Sequence, residues 1–199
     1  MVHGAAFSDL TNYFLIAMPD MEDRQFAGSV VYICQHSPDG AMGLVVNKPA
    51  DVDVARLFQK LELPLARSEL AGRDVLRGGP VQPERGFVLH DPVLAVGMPE
   101  GETAYVATLR VTGGLEMTTS KDVLEAIASG GGPRRLSIVL GCSTWGAGQL
   151  EAEIARGSWF SVPADSQVIF DTPMNARYTR ALALLGLQAW MMAPEAGHA

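Results

Sequence analysis

Two thiols and one glycine-rich turn carry most of the chemistry this chain can offer. Residues 136–140 read as an apolar strand, Gly141-Cys142-Ser143-Thr144-Trp145-Gly146-Ala147 follows as a turn, and an amphipathic helix runs from Gly148 to Arg156. Strand, glycine-rich turn and helix is the arrangement in which α/β proteins most often build a site. A thiol at a helix entrance feels the positive end of the backbone dipoles, which lowers its pKa and makes it nucleophilic. Cys142 is therefore a candidate reactive thiol, against the simpler role of a small buried apolar residue at a strand end. Cys34 is the second candidate. It stands two residues before His36, so on an extended strand both side chains point to one face and form a thiolate–imidazole pair. The competing picture packs Cys34 in the core and leaves the histidine in water.

The remaining motifs are incomplete. Gly141-Cys142-Ser143-Thr144-Trp145 has a tryptophan where a nucleophile elbow needs its second glycine. No Gly-Lys pair supports a phosphate loop, and Gly146-Ala147-Gly148 is followed by Glu151 where a dinucleotide fingerprint needs glycine. Two cysteines without CxxC spacing and four scattered histidines, His3, His36, His90 and His198, give no metal signature. Neither a metal nor a cofactor is expected. Asn47-Lys48-Pro49 and Gly78-Gly79-Pro80 combine polar groups with permissive backbone, so Asn47, Lys48, Gly78 and Gly79 are candidate ligand contacts at a pocket rim, or plain turn residues. Trp145 joins them as a candidate contact, with packing under a sheet as its alternative; Trp159 fits that packing role too. The methionines, including Met191 and Met192, are dispersed as core filler is.

These groups must be positioned by one domain. A chain of 199 residues, 48% hydrophobic, has enough apolar content for a single core and no repeats or long polar tracts that would divide it. Only the ends, at about 1–9 and 193–199, read as flexible. A net charge of -7 with three lysines, Lys48, Lys60 and Lys121, disfavours contact with phosphate backbones, and no basic helix or stripe is present. No run of eighteen apolar residues or secretory leader is seen, so a cytoplasmic protein with reduced thiols is expected.

Residues 14–18 form a short apolar strand closed by Pro19, and 29–36 and 41–47 flank the turn Ser37-Pro38-Asp39-Gly40 as a hairpin. Val54, Leu57, Phe58 and Leu61 recur at helical spacing. Residues 74–77, 86–90 and 104–111 are β-rich. A helix begins at the Thr119-to-Asp122 capping pattern and stops at Gly130, and further strands are expected at 159–162 and 168–170. Thr172-Pro173 opens a last helix that ends at Gly186. The total is a mixed α/β (α+β) domain of hairpins and αβ units around a mixed, partly antiparallel sheet.

Five blocks in order make the pattern specific: residues 13–19, 29–34, 40–49, Gly78-Gly79-Pro80-Val81, and Trp145-Gly146-Ala147-Gly148-Gln149-Leu150-Glu151. Together they resemble the bacterial YqgE/AlgH family over about residues 10–187. The resemblance implies one α/β domain in a cytosolic protein without an established enzymatic activity. The AlgH name also implies a role in transcriptional regulation, of alginate production, which the acidic balance assigns to something other than direct promoter binding. The family usually reads Gly-Tyr-Ala-Gly-Trp where this chain has Gly141-Cys142-Ser143-Thr144-Trp145, so Cys142 is not carried over, whereas Cys34 matches. The expected function is a non-catalytic regulatory or interaction protein that binds a protein partner or small ligand. The alternatives are a thiol-dependent redox sensor or enzyme using Cys34 or Cys142, and a direct DNA-binding regulator.

Overall fold

Alternation within the N-terminal strands decides where the layers lie. In β1 (Tyr13–Ala17) and β2 (Val30–Ser37), Phe14, Ile16, Val30, Tyr32 and Cys34 enter one core, while Leu15, Ala17, Val31 and Ile33 enter another. Both faces are buried, which is why these strands read as continuous apolar runs. The computed structural model describes residues 8–94, 97–99 and 101–187. β2 turns through Pro38 and Asp39 into β3 (Gly40–Val45), as the turn residues require.

A short strand β4 (Pro49–Asp53) leads to α1 (Val54–Lys60), capped by the Asp53 carboxylate, which accepts from the Arg56 amide. β5 (Asp74–Arg77), β6 (Val81–His90), β7 (Thr108–Arg110) and β8 (Glu116–Thr118) follow, then α2 (Lys121–Ala128). The long strand β9 (Leu136–Gly146) precedes α3 (Gln149–Ala155), β10 (Trp159–Pro163), α4 (Ser166–Phe170) and α5 (Arg177–Leu184). The strand order is β10-β1-β2-β3-β9-β6-β8-β7, with β4 and β5 attached beside β9. Helices α4 and α5 close the first core through Val168, Ile169, Ala181 and Leu182. Leu150 of α3 joins the second, and α1 and α2 cover a third around Val88, Leu136 and Ile138.

The α+β class stands, but the expected mixed sheet needs correction. Every pair along the main path is antiparallel, and among the described residues the one parallel pair is β5 on β9, off that path. The helix-to-strand steps therefore do not build parallel crossovers. Residues 168–170 lie in α4, because Asp165 accepts from the Gln167 amide and caps a helix where β-branched content had suggested a strand. Of residues 104–111 only Thr108–Arg110 pairs. Ser120, not Thr119, is the N-cap of α2, and the Thr172 hydroxyl donates to the Gln167 carbonyl rather than opening the last helix. Part of the expected flexible N-terminus and all of 193–199 lie outside the described residues, as do His3, His198, Met191 and Met192.

Candidate ligand-binding cleft

The largest correction falls on the glycine-rich turn. β9 does not end at Gly141 but bends there, at φ 74°, and continues to Gly146. Its first half pairs with β6 through 136–140, and its second half pairs with β3 through 143–146. A side chain at Gly141 would strike the Gly79 carbonyl at 2.6 Å, so glycine lets β9 pass from one half of the sheet to the other. Cys142 is consequently in mid-strand, not at a helix entrance, and no helix dipole acts on it. Burial pushes its thiol up, with Arg85 pulling the other way.

Trp145, near the end of β9, is carried against α3. The Glu153 carboxylate on α3 accepts the Trp145 indole N–H at 3.0 Å and the Trp159 indole N–H at 2.9 Å on a single oxygen, Oε2. Gln149 donates to its other oxygen at 3.1 Å and accepts from the Gly146 amide at 3.0 Å. The two indoles meet edge to face with centroids 6.2 Å apart, and Phe26 packs on Trp159 at 5.5 Å. Above this floor opens a cleft of about 510 Å³. Met18, Met21, Phe26 and Pro80 form its walls, and Asp20, Glu22, Asp23 and Arg156 stand around it.

Of the five ligand contacts expected from the sequence, Trp145 lines the cleft and the other four build its frame. Asn47 uses both ends of its amide on backbone, accepting from the Val30 N–H and donating to the Gly28 carbonyl, each at 2.8 Å. Lys48 donates to the Gln25 carbonyl at 2.7 Å. Burial draws its pKa down, and Asp23 opposes that. Together they tie down the segment that supplies Asp23 and Phe26. Gly78 accepts from the Val45 amide and from the Ser143 hydroxyl. Gly79, at φ 151°, lies so close to β9 that a Cβ would sit 2.3 Å from the Cys142 carbonyl. This approach delivers Pro80 to the cleft wall.

The thiols do not assemble a site. Cys34 is fully buried and its thiol is pushed up, first by burial and then by Cys142. A bulge between Ile33 and Gln35 shifts the register, so His36 pairs with Ala41 on the face opposite Cys34. The expected Cys34–His36 pairing is thereby undone. His36 instead accepts the Leu10 amide at Nδ1 and meets Glu151 through Nε2, each at 3.0 Å. β3 lies between the strands of Cys34 and Cys142, which puts their Cα atoms at least about 10 Å apart, beyond the ~7 Å a disulfide spans.

Sequence reasoning missed Glu153 and Phe26 altogether and treated Trp159 only as packing. The available signal was the two carboxylates, Glu151 and Glu153, on the short helix between two tryptophans. It also missed a buried polar network around His90, whose Nδ1 donates to the Asp91 carbonyl at 2.7 Å while Nε2 meets the Thr118 hydroxyl at 2.9 Å. Glu116, 1% exposed, is held there by Arg110 at 3.1 Å. Burial lowers the His90 pKa, and the Asp91 and Glu116 contacts oppose that. Among the described residues no group of three or more His, Cys, Asp and Glu is placed to hold a metal ion, and no helix is long and apolar enough to cross a membrane.

An AlgH-like family model matches residues 14–190. The UPF0301 proteins of Polaromonas sp. and Variovorax paradoxus are 57% and 58% identical over 199 residues, covering the whole of each chain. The solution structure of the AlgH protein from Pseudomonas aeruginosa aligns with a TM-score of 0.74 and 42% identity, again over the full length of both chains. A Corynebacterium diphtheriae protein shares the fold at a TM-score of 0.67 and 22% identity, over 90% of this chain and 88% of that one.

Proposed function

The chain belongs to the AlgH-like family, and within it we propose a non-catalytic cytosolic binding module that acts through a protein partner or small ligand seated in the two-tryptophan cleft. The observation that carries this reading is the convergence of Trp145 and Trp159 on one Glu153 oxygen beneath a cavity of about 510 Å³. An aromatic floor locked by hydrogen bonds keeps its shape before anything binds, and pre-formed shape is what ligand sites have in common. Neither thiol offers a competing centre, since burial raises the pKa of both. Any regulatory role runs through the bound partner, because a chain of net charge -7 gains little from DNA phosphates.

The test is an NMR screen of peptide and metabolite libraries that follows the two indole Nε1–H resonances, assigned with Trp145→Phe and Trp159→Phe. The reading expects hits that shift both indoles together. Hits that instead move the open face around Cys142 and Arg85, or turnover of any compound, overturn it.

A further inference from the structure

We propose, building on the cleft reading above, that the occupant is a basic peptide segment of a partner protein, seated by one arginine or lysine side chain. Its stem would lie along Met18, Met21 and Phe26, and its cationic head would meet the carboxylates of the cleft.

Charge is the first ground. Asp20, Glu22, Asp23 and Glu153 set four carboxylates around the cavity against one guanidinium, Arg156. Among the described residues the side chains of Asp20 and Glu22 have no hydrogen bond or ion pair, and neither does that of Arg156. Lys48, which interacts with Asp23, offsets part of the excess negative charge, and the carboxylates of Asp20 and Glu22 are left without an internal cation. At the floor, two indole N–H groups hold the Glu153 anion in place, so an incoming cation meets charge that needs no rearrangement.

Shape and polarity are the second ground. Met18, Met21 and Phe26 are half-buried and line the same cavity. A cleft with apolar walls and acidic groups suits a side chain that is itself apolar along its stem and charged at its tip. An inorganic cation gains nothing from a methionine thioether and a phenyl wall, and needs converging oxygens that are not present here. A neutral apolar ligand leaves the carboxylates without a partner. A peptide cation uses both features.

The probe is the blocked tripeptide Ac-Gly-Arg-Gly-NH2, compared with its citrulline counterpart, which keeps the shape and loses the charge. Titration is followed by the indole resonances of Trp145 and Trp159 and the amides of residues 20–23. About two excess charges, once Arg156 and Lys48 are set against the four carboxylates, acting at several ångströms through water predict that the arginine peptide binds about tenfold more tightly than the citrulline peptide. Glu22→Gln weakens arginine binding about two- to threefold, and Arg156→Gln strengthens it by a similar factor. The opposite signs are a signature that altered folding does not produce, and raising salt erases both.

Equal binding of the citrulline peptide overturns the cationic inference while the cleft reading stands. Arginine-dependent shifts confined to residues outside the cleft overturn the cationic inference and leave the cleft reading to the library screen. Absence of any indole shift at about 10 mM arginine tripeptide overturns the inference alone, because the library screen above still tests the cleft.

Discussion

Replacing Glu153 by alanine removes the shared acceptor of two buried indole N–H groups. Trp145 and Trp159 are 5% and 4% exposed, and each donates to the same carboxylate oxygen. A hydrogen bond to a charged acceptor contributes about 1.5–3 kcal/mol, and a stranded buried donor costs a comparable amount. Water entering from the cleft recovers part of this for both indoles, so the expected loss is about 3 kcal/mol. In a domain of this size that is a fall of roughly 6–12 °C in Tm.

Glu153→Gln supplies the control. Its carbonyl oxygen retains two lone pairs and accepts both indoles. What it loses is the charge and the oxygen that accepts from Gln149, an expected cost of about 1 kcal/mol. Urea denaturation followed by circular dichroism measures both variants, and the indole resonances report whether the floor keeps its geometry. A Glu153→Ala protein within about 0.5 kcal/mol of the parent, or equal losses for the two variants, would refute the assignment of the carboxylate as the clasp of the floor.

Gly79→Ala should destabilise by about 3 kcal/mol or more, since φ 151° disfavours any side chain and the new Cβ would sit 2.3 Å from the Cys142 carbonyl; a urea midpoint near that of the parent contradicts the close approach. His90 is held neutral by burial, so its folded pKa lies below the unfolded value of about 6.5. The unfolded chain then binds more protons, and stability falls as pH drops from about 6.5 towards the folded pKa. His90→Gln should flatten that part of the stability–pH curve, and an unchanged slope counts against it. Alkylation mapped by mass spectrometry should find Cys34 unreactive in the folded protein and Cys142 slow but faster than Cys34, because Cys142 borders an open cavity beside Arg85. Rapid modification of Cys34 at neutral pH would show that its burial is not maintained.

The elements legible in the sequence were those whose signal is local. Apolar runs, the Pro38-Asp39-Gly40 turn and the helical spacing from Val54 to Leu61 placed β1, the β2–β3 hairpin and α1 to within a residue or two. Residues 168–170 misled because β-branched content favours a strand, whereas the Asp165 cap and packing against the first core hold them in α4. At the site, Trp145 was legible as a candidate, but Asn47, Lys48, Gly78 and Gly79 proved to be frame rather than lining. Their polar atoms and bare backbone were noticed correctly, and their partners were not, because those partners lie elsewhere in the chain.

From the sequence alone came the family resemblance, the α+β class, the acidic balance and most element positions, all of which depend on residue identity and short-range periodicity. Tertiary structure alone decided three things. Gly141 is a bend within a strand because β6 and β3 take up the two halves of β9. Cys34 and His36 face apart because one extra residue bulges from β2. Glu153 reaches two tryptophans because α3 folds back between β9 and β10. In each case the local pattern fits more than one conformation, and pairing with distant segments selects the one that leaves buried polar groups satisfied.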